Sequence, residues 1–134
     1  MIAEAVIYSL LTGYTPLTNL VGTCIYFDTR PEDDPIPAVV YELISDKLDY
    51  TPNVNEPESR TARIQVTAFG STAEEALSVR EQVGPAAKNK SGQIAGYTVI
   101  DVDDGGSGAD AYDHLVDIYS KPMDFIVHYL RPQP

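Results

Sequence analysis

Cysteine is almost absent from this sequence, whose 134 residues include only Cys24. A single cysteine excludes an internal disulfide and any metal site built from several cysteines. It fits synthesis in a reducing cytoplasm. We interpret Cys24 as a small apolar residue at the start of a strand, because free cysteine most often behaves as a small buried hydrophobe rather than as a nucleophile.

Basic residues are also scarce. Lysine and arginine together number 9, against 20 aspartates and glutamates, which gives a formal net charge of −11 at pH 7. Such a surface repels the phosphate backbone, so it disfavours nucleic-acid binding through a basic patch. The same charge disfavours docking on anionic membranes.

Long apolar runs are missing too. No stretch approaches the roughly 20 apolar residues of a membrane-spanning helix. The N-terminal stretch MIAEAVIYSLLTG is interrupted by Glu4 and lacks the basic flank of a signal peptide. We therefore expect a mature chain that makes no use of a membrane. Its length and its 43% hydrophobic residues suffice for one domain, which we place at 1–134.

Catalytic signatures are missing as well. His114 and His128 have no metal-ligand spacing to each other or to Cys24. The motifs G-x-S-x-G, G-x-G-x-x-G, H-E-x-x-H and the P-loop do not occur. The sequence singles out no catalytic residue, no metal ligand and no cofactor, although its many acids leave acid–base pairs open, and we expect a protein that is not an enzyme.

Helix signals are present in three places. Apolar residues recur at helical spacing from Ala3 to Leu11, and Gly13 ends this first helix. A second helix is predicted over 15–22, with a threonine cap, a proline at its first position and a glycine at its end.

The third helix signal follows residue 70. Ser71 and Glu74 have the spacing of a capping box, which predicts that the helix begins there. The pair Gly84-Pro85 predicts a break or kink in it, because proline removes a helical hydrogen bond.

Strand signals fall in five stretches, three before the third helix and two after it: 23–28, 38–50, 60–69, 97–102 and 114–130. Pro122 predicts a bulge or an exposed edge within the last one. The order helix, helix, strand, strand, strand, helix, strand, strand indicates an α+β fold. We expect a mostly antiparallel β-sheet covered on one face by the N-terminal helix and the central helix.

The stretch DVDDGGSGADAYD, residues 101–113, is rich in aspartate and glycine. Against a calcium loop of the EF-hand type it fails at two ligand positions, which hold Gly105 and Tyr112. Two interpretations remain, a weak cation site and a solvated loop between strands, and the second is favoured by glycine and aspartate in turns. The cation site would use Asp103, Asp104, Asp110 and Asp113.

Four stretches in order suggest a family. They are TPLTNLVGTCIYFD, IPAVVYELIS, RTARIQVTAFGSTAEEALSVREQV and SKPMDFIVHY. In this order and spacing, from about residue 2 to 130, the chain resembles the tail-completion or tail terminator (tail-to-head joining) proteins of long-tailed bacteriophages. It departs from their pattern at Gly84-Pro85 and at Pro122.

The resemblance implies a structural protein of the virion, located at the tail-head junction and in the host cytoplasm during assembly. Family members form a hexameric ring that caps the tail tube, stops its polymerisation and meets the head completion or connector protein. DNA would pass through the lumen without specific binding, because acidic side chains repel its phosphates.

Candidate contact residues are taken from the polar loops and their flanks. They are Glu32, Asp33, Asp34, Asp49, Tyr50, Asn53, Asn55, Asp103, Asp104, Asp110 and Tyr112. Two other functions stay open at this point, a head-tail connector or other neck adaptor and, less favoured, a small cation-dependent hydrolase using the acids of 101–113.

Overall fold

A computed structural model describes residues 2–31, 35–49, 53 and 56–132. The described residues form three helices, α1 (Ile2–Thr12), α2 (Thr15–Val21) and α3 (Ala73–Ala87). They also form seven strands, β1 (Ile25–Phe27), β2 (Ala38–Leu48), β3 (Glu58–Gly70), β4 (Gly92–Ile94), β5 (Tyr97–Ser107), β6 (Ala111–Asp113) and β7 (Ile118–Arg131).

The strands of the described chain make one sheet in the order β1-β2-β3-β7-β5-β4, and β6 also pairs with β7. The pair β1–β2 is parallel, and the other pairs are antiparallel. The predicted α+β fold with a mostly antiparallel sheet is therefore confirmed.

The core lies between the sheet and the helices. On β3, Ala62, Ile64, Val66 and Ala68 are almost fully buried and alternate with partly exposed residues. Helices α1 and α3 pack on this face, which we call the covered face. Its large apolar side chains each contribute roughly 1.5–3 kcal/mol by leaving water.

The opposite face of the sheet, which we call the open face, carries the alternating polar residues. Arg63 Nη1 donates to Asp124 Oδ2 at 2.5 Å across β3 and β7, and to the carbonyl oxygen of Gly105 at 3.4 Å. One Asp124 oxygen, Oδ1, is buried and has no hydrogen-bond partner among the residues that the structure describes. Two neighbouring strands are thus joined on this face by a partly buried ion pair.

Helix α3 differs from its prediction at both ends. Its N-cap is Thr72, one residue after the predicted Ser71, and Thr72 Oγ1 accepts from the Glu75 amide at 3.1 Å. The helix runs through Pro85 to Ala87, so the predicted break is wrong. Pro85 lies in the last turn, where it removes one helical hydrogen bond, and the helix ends with the Lys88 amide donating to the Gly84 carbonyl at 2.8 Å.

The acidic glycine stretch is the second difference. Residues 103–107 continue β5, and 111–113 form β6, so the predicted loop is wrong for most of its length. Two glycines permit this path, since a Cβ on Gly105 would lie 3.1 Å from Asp124 Cβ and one on Gly108 would lie 3.0 Å from Pro122 Cγ. These glycines allow close backbone approach rather than a flexible loop.

Strand β7 is the third difference, because it is continuous and pairs with β3 from Tyr119 to Arg131. Pro122 is buried within it and marks no exposed edge. On the other side of β7, pairing with β5 ends at Met123 and pairing with β6 begins at Ser120. Proline is tolerated where a neighbouring ladder is interrupted in this way.

Candidate assembly surface

The contact residues predicted from sequence fall into separate places. Glu32, Asp33, Asp34, Tyr50 and Asn55 lie outside the described residues. Of the others, Asp49 and Asp103 are linked through the C-terminal part of β7, whereas Asp110 and Tyr112 lie beside its N-terminal part. Two more bond locally: Asn53 with Glu56, and Asp104 with the Gly106 amide at 2.8 Å. The structure thus divides these residues into groups rather than one surface.

The first group is a hydrogen-bonded chain on the open face. Asp49 accepts from Thr61 Oγ1 at 2.6 Å and from Ser59 Oγ at 2.7 Å. The Thr61 hydroxyl lies 3.1 Å from His128 Nδ1, and His128 Nε2 lies 3.4 Å from Asp103 Oδ2. Because the single Thr61 hydrogen goes to the carboxylate, Nδ1 is the donor to Thr61.

Hydrogen bonds shift the pKa values of two aspartates in and beside this group. The bond from Thr61, then that from Ser59, lowers the pKa of Asp49 below its ordinary value. Asp101 stands beside Asp103, and their hydrogen bond raises the pKa of Asp101. The carboxylate of Asp49 is therefore tied to the sheet rather than presented to a partner.

The second group fixes the turn before β6. Asp110 accepts from Lys121 Nζ at 2.6 Å and from Arg80 Nη1 at 3.3 Å, which joins this turn to β7 and to α3. The bond from Lys121 lowers the pKa of Asp110. Asp110 is half exposed, so we assign this pair the small energy typical of surface ion pairs.

The hairpin that β6 forms with the start of β7 projects an apolar tip. We call residues 111–118 the arm and its residues Leu115 and Val116 the tip. Leu115 is 95% exposed and Val116 56% exposed. Exposed apolar residues next to each other mark contact sites more often than residues scattered singly.

Internal contacts hold the arm in shape. The ring of Tyr112 lies 4.4 Å from that of Tyr119 and 4.6 Å, edge-on, from that of His114. The Tyr112 hydroxyl donates to Asp117, which raises the pKa of Tyr112 to about 12, and the Leu115 amide donates to Asp113 Oδ1 at 2.9 Å. The tip is therefore presented in a preformed conformation.

Two cavities lie at opposite ends of β7. A cavity of about 560 Å³ runs beside the arm and is lined by Arg30, Phe69 and arm residues. The other, of about 160 Å³, lies where β7 ends. We call this second cavity the socket, and it is lined by Pro57, Gly96, Tyr97, Thr98, Leu130 and Pro132.

Comparison with known proteins finds this fold in a solved structure. The chain is similar to one chain of the solved structure "Virion of native gene transfer agent (GTA) particle". The two share a fold. Their TM-score is 0.70 at 14% sequence identity, and the match covers 95% of this chain and 93% of the other. No family model and no curated protein sequence matches this chain.

Among the described residues, no group of three or more His, Cys, Asp or Glu side chains is arranged to hold a metal ion. Cys24 is partly buried and packs against the core beside β1, as a small apolar residue would. No helix in the described part of the chain is long and apolar enough to cross a membrane.

Sequence reasoning missed the tip of the arm. The apolar pattern of 114–130 predicts strand and includes Leu115 and Val116. The available signal was the spacing of Asp113 and Asp117 around a short apolar pair, because aspartate favours turns. It indicates a hairpin turn that exposes two apolar residues.

Proposed function

We propose that this chain is a structural protein of a phage-like virion, one that forms a ring on the end of the tail tube. The ring stops tail polymerisation and provides the joint to the head connector. The observation that carries the proposal is the likeness in fold, over nearly the full length of both chains, to a chain of a gene transfer agent virion. The resemblance of the sequence to tail terminators supplies the position in the particle.

The surface of the chain is consistent with assembly. It holds a preformed apolar tip at one end of β7 and an apolar socket at the other. Such features suit a protein that acts by binding, and no group of three or more His, Cys, Asp or Glu side chains among the described residues is arranged to hold the cation of the hydrolase alternative.

The acidic charge supports passage of DNA through the ring. Asp103 and Asp104, on β5, belong to a chain whose net charge is −11. If such side chains line the lumen, they repel phosphate and let DNA move without sticking. Replacing Asp103 and Asp104 by Asn should then slow DNA exit from assembled particles, and unchanged exit kinetics would contradict this part of the proposal.

The experiment that tests the proposed function is electron microscopy of lysates after deletion of this gene from its source genome. We expect filled heads lying apart from tails of abnormal length. Tails of normal length that remain unjoined would favour the neck adaptor instead. Normal, joined particles would contradict both, and restoration of the gene in trans controls for effects on neighbouring genes.

A further inference from the structure

The arm and the socket lie at the two ends of the longest strand. Strand β7 runs from Ile118, where the arm ends, to Leu130, which lines the socket. At about 3.4 Å per residue this separates them by roughly 40 Å. The tip of a chain therefore cannot fill the socket of the same chain.

The size of the socket matches the tip. A cavity of roughly 150 Å³ with apolar walls accommodates a benzene-sized group. The socket measures about 160 Å³ and has mostly apolar walls, including Leu130 and Pro132. It therefore has room for one aliphatic side chain such as that of Leu115.

The tip and the socket differ in the charges around them. The tip stands between Asp113 and Asp117. The socket has charges of both signs: the exposed Arg131 stands between two lining residues, and its cross-strand partner Glu58 forms an ion pair with Arg60 at 3.0 Å. Arg131 is thus the basic residue that can meet an aspartate of the tip, and opposite charges at a contact help to set its register.

We propose that the tip of one copy of this chain inserts into the socket of the next copy, with Leu115 as the anchor. This is a head-to-tail contact, because the two surfaces differ. Repeated around an axis, it closes a ring if the rotation closes and makes a filament if it does not. The inference rests on the proposed function for its ring, but the contact itself is argued from the size, charge and separation of the two features.

Disulfide trapping tests the contact directly. In a background of Cys24→Ser, the variant carries Val116→Cys and Thr98→Cys, which keeps the anchor Leu115 in place, and Thr98 lines the socket opposite Leu130. A disulfide requires the two Cα atoms to approach within about 7 Å, so these two cysteines can join only between copies. We expect a ladder of covalent oligomers under mild oxidation that disappears on reduction.

The matched control pairs Val116→Cys with Thr23→Cys. Thr23 is an exposed threonine that lines a different cavity, of about 430 Å³, with Tyr8, Thr12, Thr18 and Gly22. We expect no ladder from this pair. A ladder from the control as strong as that from the Thr98 pair would overturn the inference.

The trapping is performed on the concentrated protein and on particles produced by the source genome. Absence of the 116–98 ladder in both, with the chain present in the particles, would overturn the contact and leave the proposed function standing. A ladder in solution, with the chain absent from the particles, would support the contact and count against the proposed function.

Discussion

The two halves of β7 have opposite surroundings. The C-terminal half, from Met123, lies between β3 and β5, and Phe125 and Val127 are fully buried there. The N-terminal half pairs with β3 on one side and with only the three residues of β6 on the other, and it continues into the arm. One strand thus stabilises the fold with one half and presents a contact surface with the other, so substitutions should separate the two roles.

The largest effect should come from the buried half. Replacing Phe125 by Ala removes a fully buried ring beneath the helices and leaves a cavity. We expect the free energy of unfolding to fall by about 3–5 kcal/mol. Urea unfolding followed by circular dichroism measures this loss.

Leu115→Ala is the matched substitution in the arm. Because Leu115 is 95% exposed, its truncation should change the free energy of unfolding by less than about 0.5 kcal/mol. If Leu115→Ala destabilised the isolated chain as much as Phe125→Ala, the division of β7 into two roles would be wrong.

A second, intermediate effect concerns the close approach of β5 to β7. Gly105→Ala would place a Cβ 3.1 Å from Asp124 Cβ and 3.2 Å from its carbonyl oxygen, which is rigid backbone. We expect a loss of about 1–3 kcal/mol, as for other overpacked sites. Ser107→Ala, at an exposed position of the same strand, should have little effect, and equal losses from both would refute the role of Gly105.

A smaller effect depends on pH and lies at the far end of the buried half. The pKa of Asp49 is lowered in the folded chain, so the folded state binds fewer protons than the unfolded state. The stability that the ionised Asp49 contributes is present above the pKa of aspartate in the unfolded chain, about 3.9, and is lost as the pH falls through the pKa of Asp49 in the folded chain. Asp49→Asn should therefore be less stable than wild type near neutral pH.

The same two proteins should converge in stability at acidic pH, because a protonated aspartate resembles asparagine. Urea midpoints across the pH range test this convergence. A constant difference at every pH would mean that Thr61 and Ser59 do not act through the ionised carboxylate.

The smallest effect is spectroscopic and belongs to the arm. The bond to Asp117 raises the pKa of Tyr112 to about 12. Asp117→Asn should return one tyrosine toward the ordinary value of about 10 without changing the fold. Tyrosinate absorbance measures this shift, and Tyr112→Phe identifies the affected residue. An unchanged titration in Asp117→Asn would contradict the preformed tip.

Sequence patterns predicted the elements whose apolar spacing is regular. The alternation of residues 60–69 located β3, and the periodicity after Ala3 located α1, because burial on one face dictates both patterns. The first four residues of β2, Ala38 to Tyr41, are all apolar or aromatic, and such a run indicates the burial that the structure shows.

The predictions that were wrong concern residues whose conformation depends on neighbours distant in sequence. Whether Gly105 and Gly108 are flexible or closely packed is decided by Asp124 and Pro122, which lie in another strand. The strands β4 and β6, of three residues each, are too short to carry a pattern. The tip and the socket could not be predicted from the sequence, because the exposure of a side chain and the volume of a cavity depend on where β7 lies in the folded chain.

The position of β7 has a consequence for how the chain is made. It is the final strand of the described chain, yet it lies in the middle of the sheet, between β3 and the strands β5 and β6. A nascent chain that stops before residue 118 leaves both neighbours with unpaired edges, which favour aggregation. Because its main pairings join residues some 60 positions apart, sheet closure waits for the last strand to leave the ribosome. Truncated chains that lack β7 therefore cannot form a complete arm and socket.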